Sequence, residues 1–262
     1  MTADVQTTIA SNMRAIAAAQ GPLYASGTDY PEGVTVPPHS HDRHQLLHAI
    51  SGVLMVATPA GRWIVPPEHA LWLPAGCVHS VQMLGAVRMR SVYVRADTPG
   101  DGPRVLGMTP LVRALVVEAV AMMAHPAPDA RDRLIAELLL AEIPRLPEQP
   151  LALPLPADPR LLKLCRAFIA APHARAPLDG WAALAGKSRR SLTRHFRQET
   201  GLSLENWRQQ ACVFAALPRL IDGQRVTSVA LDLGYDSPAA FTTMFRRMLG
   251  QTPRAFAGGR RQ

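Results

Sequence analysis

One spacing constrains the fold of this chain more than any other. A set of residues in its last third recurs 49 positions later: Ser188, Leu192, Phe196, Arg197, Gly201 and Ser203 return as Ser237, Phe241, Phe245, Arg246, Gly250 and Thr252. In each copy the two apolar residues are four apart, which puts them on one helix face. The serine before them is a helix-capping residue, and the glycine after them stops the helix. Upstream, Ala182 precedes Gly186 by four and Ala230 precedes Gly234 by four. A small residue lets another helix cross closely, and the glycine permits a tight turn. Each copy therefore reads as a helix-turn-helix.

The surrounding sequence fills in an all-α domain. Arg160 to Ala171 reads as a helix ended by Pro172, and Leu178 to Ala185 as the short helix before the first copy. Leu204 to Asp222 connects the two units and is expected to kink or break at Pro218. Pro238 sits in the first helical position of the second copy. Thr252-Pro253 opens a final short helix containing Phe256.

Charge separates this region from the rest. The net charge of the 262-residue chain is +8, but residues 159–262 hold 17 Lys+Arg against 6 Asp+Glu, while residues 1–158 hold 11 against 14. A basic module of this kind meets a polyanion. No isolated Lys/Arg-rich amphipathic helix favours a membrane surface, so nucleic acid is the expected partner. Cys77, Cys165 and Cys212 have neither disulfide-scaffold nor metal-type spacing and fit a reduced, cytoplasmic-type protein. Met1 to Gly21 lacks a signal-peptide core, and Leu111 to Ala124 is broken by Arg113 and Glu118, so no spanning helix is expected.

From Tyr24 to Val94 the chain alternates short β-type runs with Gly/Pro punctuation: Leu46–Ile50, Val53–Ala57, Trp63–Val65, Ala70–Leu73 and Ser91–Val94. That rhythm predicts a small barrel or sandwich. Gly33, His39, His41, Gln45 and Gly52, followed by Pro74, Gly76 and His79, are similar in spacing to the two cupin motifs. The resemblance implies that His39, His41 and His79 converge on a divalent ion such as Zn, Fe or Mn. It also marks two departures: Gln45 stands where a glutamate ligand is usual, and Glu68 where the second motif starts with glycine. Three neutral imidazoles can hold such an ion, but without the carboxylate its charge is uncompensated. The other reading makes the histidines polar lining of a small-molecule pocket. His44 and His48 fall outside the pattern and are expected at the surface or behind the ligand residues. Trp63 and Trp72 are expected in the core or walling a cavity.

Between the domains, Leu111, Leu115, Val116 and Ala119 space as one helical face, as do Leu134, Leu138, Leu139 and Ile143. With His125-Pro126-Ala127-Pro128 between them they form a helical hairpin, either a homodimer interface or a layer packed on the barrel. Pro144, Pro147, Pro150, Pro154, Pro156 and Pro159 then predict an extended, semi-rigid linker outside any sheet. The domains read as 1–104 cupin-like sensor, 105–143 hairpin, 144–158 linker and 159–262 DNA-binding domain. The fold class is mixed: a cupin-like β-barrel with a helical hairpin, then an all-α domain.

The doubled pattern, above all Gly234-Tyr235-x-Ser237-x3-Phe241-x3-Phe245-Arg246-x3-Gly250-x-Thr252-Pro253-x2-Phe256, resembles the AraC family of bacterial transcription regulators. The resemblance covers nearly the whole chain. His39–Gly52, Pro74–His79 and Ser188–Phe196 look closest to the subgroup of nitroimidazole-resistance regulators, whose members tend to control an efflux transporter. Cys212 departs from the family, which usually carries arginine there.

Helix geometry selects the residues that meet DNA. With Leu192 and Phe196 inward, Ser188, Arg189, Arg190, Thr193 and Arg194 lie outward near the N-terminal end that points at base edges, and Arg197 lies a turn further on, toward phosphate. In the second copy Ser237, Pro238, Ala239, Thr242 and Thr243 face outward, with Arg246 and Arg247 a turn later. Small residues and threonines read little by hydrogen bonding. The expected function is sequence-specific promoter binding controlled by a small molecule in the cupin-like domain, with RNA polymerase a further partner if the chain activates. The alternative is a cupin metalloenzyme with a DNA-binding appendage, which the missing glutamate at position 45 disfavours.

Overall fold

The computed structural model describes residues 3–96, 102–125, 127–149 and 151–258. Pro126 and Pro150, named above, lie outside the described residues. The chain divides into two compact units, Met1–Ala152 and Leu153–Gln262.

Unit 1 opens with a helix that the sequence reading did not identify, α1 (Ala3–Ala18). Six strands follow: β1 (Leu23–Tyr30), β2 (Thr35–His39), β3 (Arg43–Thr58), β4 (Gly61–Val65), β5 (His69–Leu73) and β6 (His79–Arg95). Then come β7 (Arg104–Gly107), α2 (Pro110–Met122), α3 (Ala130–Glu142), a single 3₁₀ turn at Ile143–Arg145, and two short strands, β8 (Glu148–Gln149) and β9 (Ala152–Pro154). The order β1-β6-β3-β5-β7-β8 runs through the antiparallel sheet, with β2 beside β6 and β4 beside β3.

The runs Leu46–Ile50 and Val53–Ala57, expected as two strands, are halves of one strand of 16 residues. Its pairing with β6 shifts register between Ala49 and Ser51 and again between Ser51 and Val53. Such bulges bend a strand without ending it. The first half of β3 pairs with β5 and the end of β6, and the second half with β4 and the start of β6. Gly52 makes the bend possible. It has φ +77°, and a Cβ there would sit 2.5 Å from the Ala86 carbonyl oxygen, so no other residue fits.

The hairpin α2–α3 packs on β1, β3, β5, β6 and β7, with Val112, Leu115, Val116, Ala119, Ile135 and Leu139 in that core. Leu111, Leu134 and Leu138, grouped above with Leu115, Val116, Ala119, Leu139 and Ile143 on the helices' apolar faces, are exposed. Both helices are so apolar that 3.6-residue spacing fits more than one face, and packing against the sheet chose Val112 and Ile135. The proline-rich stretch also departs from expectation. The β8 strand pairs with β7, and the Leu151 carbonyl accepts from Ile64 N–H at 3.4 Å. A proline lacks only its own N–H, and edge strands tolerate that loss.

Unit 2 is helical, from α4 (Pro159–Ala170) through α5 (Leu178–Ala185), α6 (Arg189–Thr200) and α7 (Leu204–Ile221) to α8 (Val226–Asp232), α9 (Pro238–Leu249) and α10 (Pro253–Gly258). Ser188 and Ser237 cap α6 and α9 by accepting from the N–H of Ser191 and Ala240. Gly201 and Gly250 end the two helices in the left-handed conformation, φ +72° and +73°. Leu192, Phe196, Phe241 and Phe245 are fully buried. The α7 helix is not interrupted at Pro218 but runs through it to Ile221. So near the C-terminal end, the proline disturbs only the last turn.

Candidate nucleic-acid interface and ligand site

On α6 the buried pair Leu192 and Phe196 leaves Ser188, Arg189, Arg190, Thr193, Arg194 and Arg197 exposed. Arg190 and Arg194 are four apart, stacked along one face near the helix start. Thr193 is partly committed, since its hydroxyl donates to the Arg189 and Arg190 carbonyls at 3.0 and 3.1 Å. His195, not singled out from sequence, is half-buried on the flank of α6. Its Nε2 lies 3.2 Å from Glu199 Oε1 and its Nδ1 4.0 Å from Asp158 Oδ2. Asp158 in turn caps α4 through the N–H groups of Arg160 and Leu161, which ties the start of this unit to the flank of α6.

On α9, Ala239, Thr243, Arg246 and Arg247 are exposed, while Ser237, Pro238 and Thr242 are half-buried. Arg247 bonds the Gln209 side chain on α7, so its guanidinium is engaged within the unit. Met244 joins Phe241 and Phe245 on the buried face. The arginine-rich surface belongs to α6; α9 shows a smaller and less charged face.

The loop before α5 links the two helix-turn-helix units. Ala174 N–H donates to the Leu233 carbonyl at 2.7 Å, and Arg175 pairs with Asp236. The His173 ring occupies the space that a Cβ on Gly234 would fill. Behind the loop, the buried Arg208 of α7 donates to the carbonyls of His173, Ala174 and Ala176 at 3.3, 3.1 and 2.6 Å. Its guanidinium carbon lies 5.2 Å from the centre of the Phe168 ring. Cys212, one turn on from Arg208, is buried beside Tyr235, and burial pushes its thiol up to about 11. A thiol so held is inert at neutral pH.

In unit 1 the three motif histidines come together. His39 and His79 are paired across β2 and β6, and His41 follows in the turn before β3. Ring centroids are 4.3 Å apart for His39–His79, 5.3 Å for His41–His79 and 6.2 Å for His39–His41. One ring nitrogen from each lies within 4.8 Å of the others. Each Nδ1 is already tied to a backbone carbonyl: His39 to Pro37 at 2.9 Å, His41 to Arg43 at 2.7 Å, His79 to Cys77 at 2.8 Å. A neutral ring that donates from Nδ1 carries its lone pair on Nε2, the arrangement that orients metal-bound histidine. The Nε2 of His79 is buried and has no partner. Burial holds His79 down to about 4, and burial likewise lowers His39, so both rings are neutral at pH 7.

Gln45 completes the cluster from β3. Its Nε2 lies 3.0 Å from Ser91 Oγ and 3.1 Å from Tyr93 Oη, and its Oε1 lies 3.1 Å from His41 Nε2. With His41 donating from Nδ1, the reversed amide satisfies every group: the two hydroxyls donate to Oε1, and Nε2 donates to the His41 lone pair. The sequence reading placed Ser91 and Tyr93 in a β-type run but not in the site; their alternation on a strand and the Gln45–Tyr93 register place them on the cluster's face. A cavity of about 20 Å³ adjoins, walled also by Asn12 and Met13 of α1, room for about one water-sized group. His44 and His48 are buried, not at the surface. His44 accepts from Ala75 N–H and stacks on Trp72 at 5.2 Å, while His48 bonds the His69 carbonyl. Trp63 is a core residue.

Comparison with known proteins places both regions. Residues 181–259 match the model of a helix-turn-helix domain and residues 21–104 that of an AraC-like ligand binding domain. The chain is similar to the HTH-type transcriptional regulator NimR of Escherichia coli K12, 34% identical over 230 residues that cover 87% of this chain and 83% of the other. It is 33% identical to the HTH-type transcriptional regulator RipA of Corynebacterium glutamicum over 108 residues, 40% of this chain and 32% of that one. Among solved structures, the DNA-binding domain of AdpA in complex with a target DNA is 31% identical, covering 39% of this chain and 93% of that chain, with a TM-score of 0.36.

Proposed function

Because the chain belongs to the AraC family of helix-turn-helix transcription regulators, we propose that its α6 helix reads base edges while its α9 helix chiefly positions the protein on the duplex. The chain is a DNA-binding regulator with a ligand-binding domain, and its families and relatives are regulators, not enzymes. The carrying observation is the asymmetry of the exposed faces. Arg189, Arg190, Arg194 and Arg197 on α6 can meet guanine O6/N7 edges and phosphates. Ala239, Thr242 and Thr243 on α9 offer methyl contacts and few donors, with Arg246 left for phosphate.

The test uses a site selected by the full-length protein from random duplexes. Arg190→Ala and Arg194→Ala should each lose about 1–3 kcal/mol on that site and relax base preference at one position. Arg246→Ala should weaken all duplexes alike and shallow the salt slope by about one. Equal losses of both classes on selected and random DNA would sink the division.

In unit 1, the tied Nδ1 atoms, which leave each lone pair on Nε2, and the unpartnered Nε2 of His79 support a divalent ion held by His39, His41 and His79, for which His41 would give up its hydrogen bond to Gln45. A second copy of the chain is the proposed occupant of the exposed apolar face of α2–α3. As a regulator of this kind, the protein acts on a neighbouring transporter gene, with RNA polymerase the further partner where it activates.

A further inference from the structure

We propose that the small-molecule ligand of unit 1 is an anion bound directly to the ion held by His39, His41 and His79, and that Gln45 creates the requirement for it. This rests on the metal reading above and adds the chemical class of the ligand.

The argument is one of charge. A histidine ligates a metal through a neutral ring, so the three protein donors bring no charge, and none of the described residues lining the cavity is acidic. The fourth neighbour, Gln45, offers an amide dipole already held by Ser91 and Tyr93. Much of the remaining wall is Tyr30, Val36, Leu47, Val81, Met89 and Tyr93, which solvates an ion poorly. The positive charge nearest in sequence, Arg43, is turned away and donates to the Ala19 and Gly21 carbonyls at 2.6 and 3.1 Å. A divalent ion here keeps its full +2 in a low-dielectric site, and charge left uncompensated is costly. A carboxylate at position 45 would halve that charge from within. With glutamine there, the compensating charge must come from outside, and three protein ligands leave a position open for it. The cavity of about 20 Å³, room for about one water-sized group, admits one donor atom of a small inorganic anion or of a single carboxylate group.

The experiment is a titration of full-length, cobalt(II)-loaded protein with sodium azide and then sodium acetate, followed by the visible d–d absorption of the metal. The wild type should bind one cobalt and show a saturable change with each anion. Gln45→Glu should keep the cobalt and bind azide at least about tenfold more weakly, because the site then carries its own negative charge. Gln45→Met, which stays neutral, should keep the azide response, and this variant decides the matter if Gln45→Glu does not fold. Unchanged azide affinity in Gln45→Glu, loss of the response in Gln45→Met, or a silent spectrum in the cobalt-loaded wild type would each overturn the proposal. A different result removes the metal reading itself: no cobalt taken up, or equal uptake by a His39→Ala/His79→Ala variant.

Discussion

At the residue scale, unit 1 is unusual in how many histidines it buries. Burial lowers His39, His48, His69 and His79, and backbone carbonyls only partly offset the effect for His39, His48 and His79. The Arg113 charge adds to the depression at His48, and the other cluster rings add to it at His79. A folded-state value below the ordinary one near 6.5 means that the unfolded chain binds more protons. Stability from these groups is therefore complete above about pH 6.5 and is lost as pH falls toward their folded values. For His79, held to about 4, the loss by pH 4 is on the order of 3 kcal/mol. Thermal melts of metal-free protein between pH 7 and pH 4 should show the unit 1 transition falling steeply. A His79→Gln variant should show a flatter fall, and identical slopes in the two proteins would contradict the assignment.

At the element scale, the loop ahead of α5 joins the two similar helix-turn-helix units. It is held from behind by Arg208 and rests on the turn around Gly234. Arg208 is buried and touches the loop rather than solvent, so any effect on reading would pass through the loop. Removing its fork leaves carbonyls of the loop short of donors, at about 1–3 kcal/mol for each that stays buried. Arg208→Met should therefore lower the melting temperature of unit 2 and alter the geometry of reading as well. On selected duplexes with one or two base pairs inserted between the segments facing α6 and α9, the wild type should lose affinity sharply. The variant should tolerate the insertions better, whereas a purely destabilising role would weaken every spacing in proportion. Arg175→Ala, which removes only the exposed ion pair with Asp236, should produce a milder form of the same tolerance. The sequence reading stopped at the departure at Cys212. That Arg208, one turn earlier, carries a buried guanidinium could not be read from spacing, because its acceptors lie more than 30 residues away in the chain.

At the scale of the whole molecule, the α2–α3 hairpin exposes apolar side chains away from the sheet of unit 1. Leu134 is 66% exposed, Leu111 47%, and Leu138 and Val117 42%. The inner face is satisfied by the sheet, so the two sequence alternatives, packing on the sheet and pairing with a second copy, can hold together on opposite faces. Burial of such side chains is worth about 1.5–3 kcal/mol each at full desolvation, so a Leu134→Glu/Leu138→Glu variant should be strongly selective. In sedimentation equilibrium it should shift a wild-type dimer to monomer and leave the unit 1 melt in place, since neither residue belongs to the core. A monomeric wild type would refute the interface.

What the amino-acid sequence determined by itself was local and periodic. The capping serines, the apolar pairs four apart and the stop glycines at Gly201 and Gly250 act within a few residues, so α6 and α9 could be placed to within a residue. The outward arginines followed from those helices, and the motif spacing named three histidines that the folded chain does bring together. Tertiary structure alone decided everything that depends on distant partners. It joined two short apolar runs into the bent β3, because the register with β6 could shift without breaking. It drew part of the proline-rich stretch into an edge strand and chose the inner face of an almost wholly apolar hairpin. It also tied each motif histidine by Nδ1 to a carbonyl and set Ser91 and Tyr93 around Gln45. The duplicated helix-turn-helix could be read from spacing because helical order is set between near neighbours. The loop that holds its two copies together could not, since that contact exists only once the chain has folded back on itself.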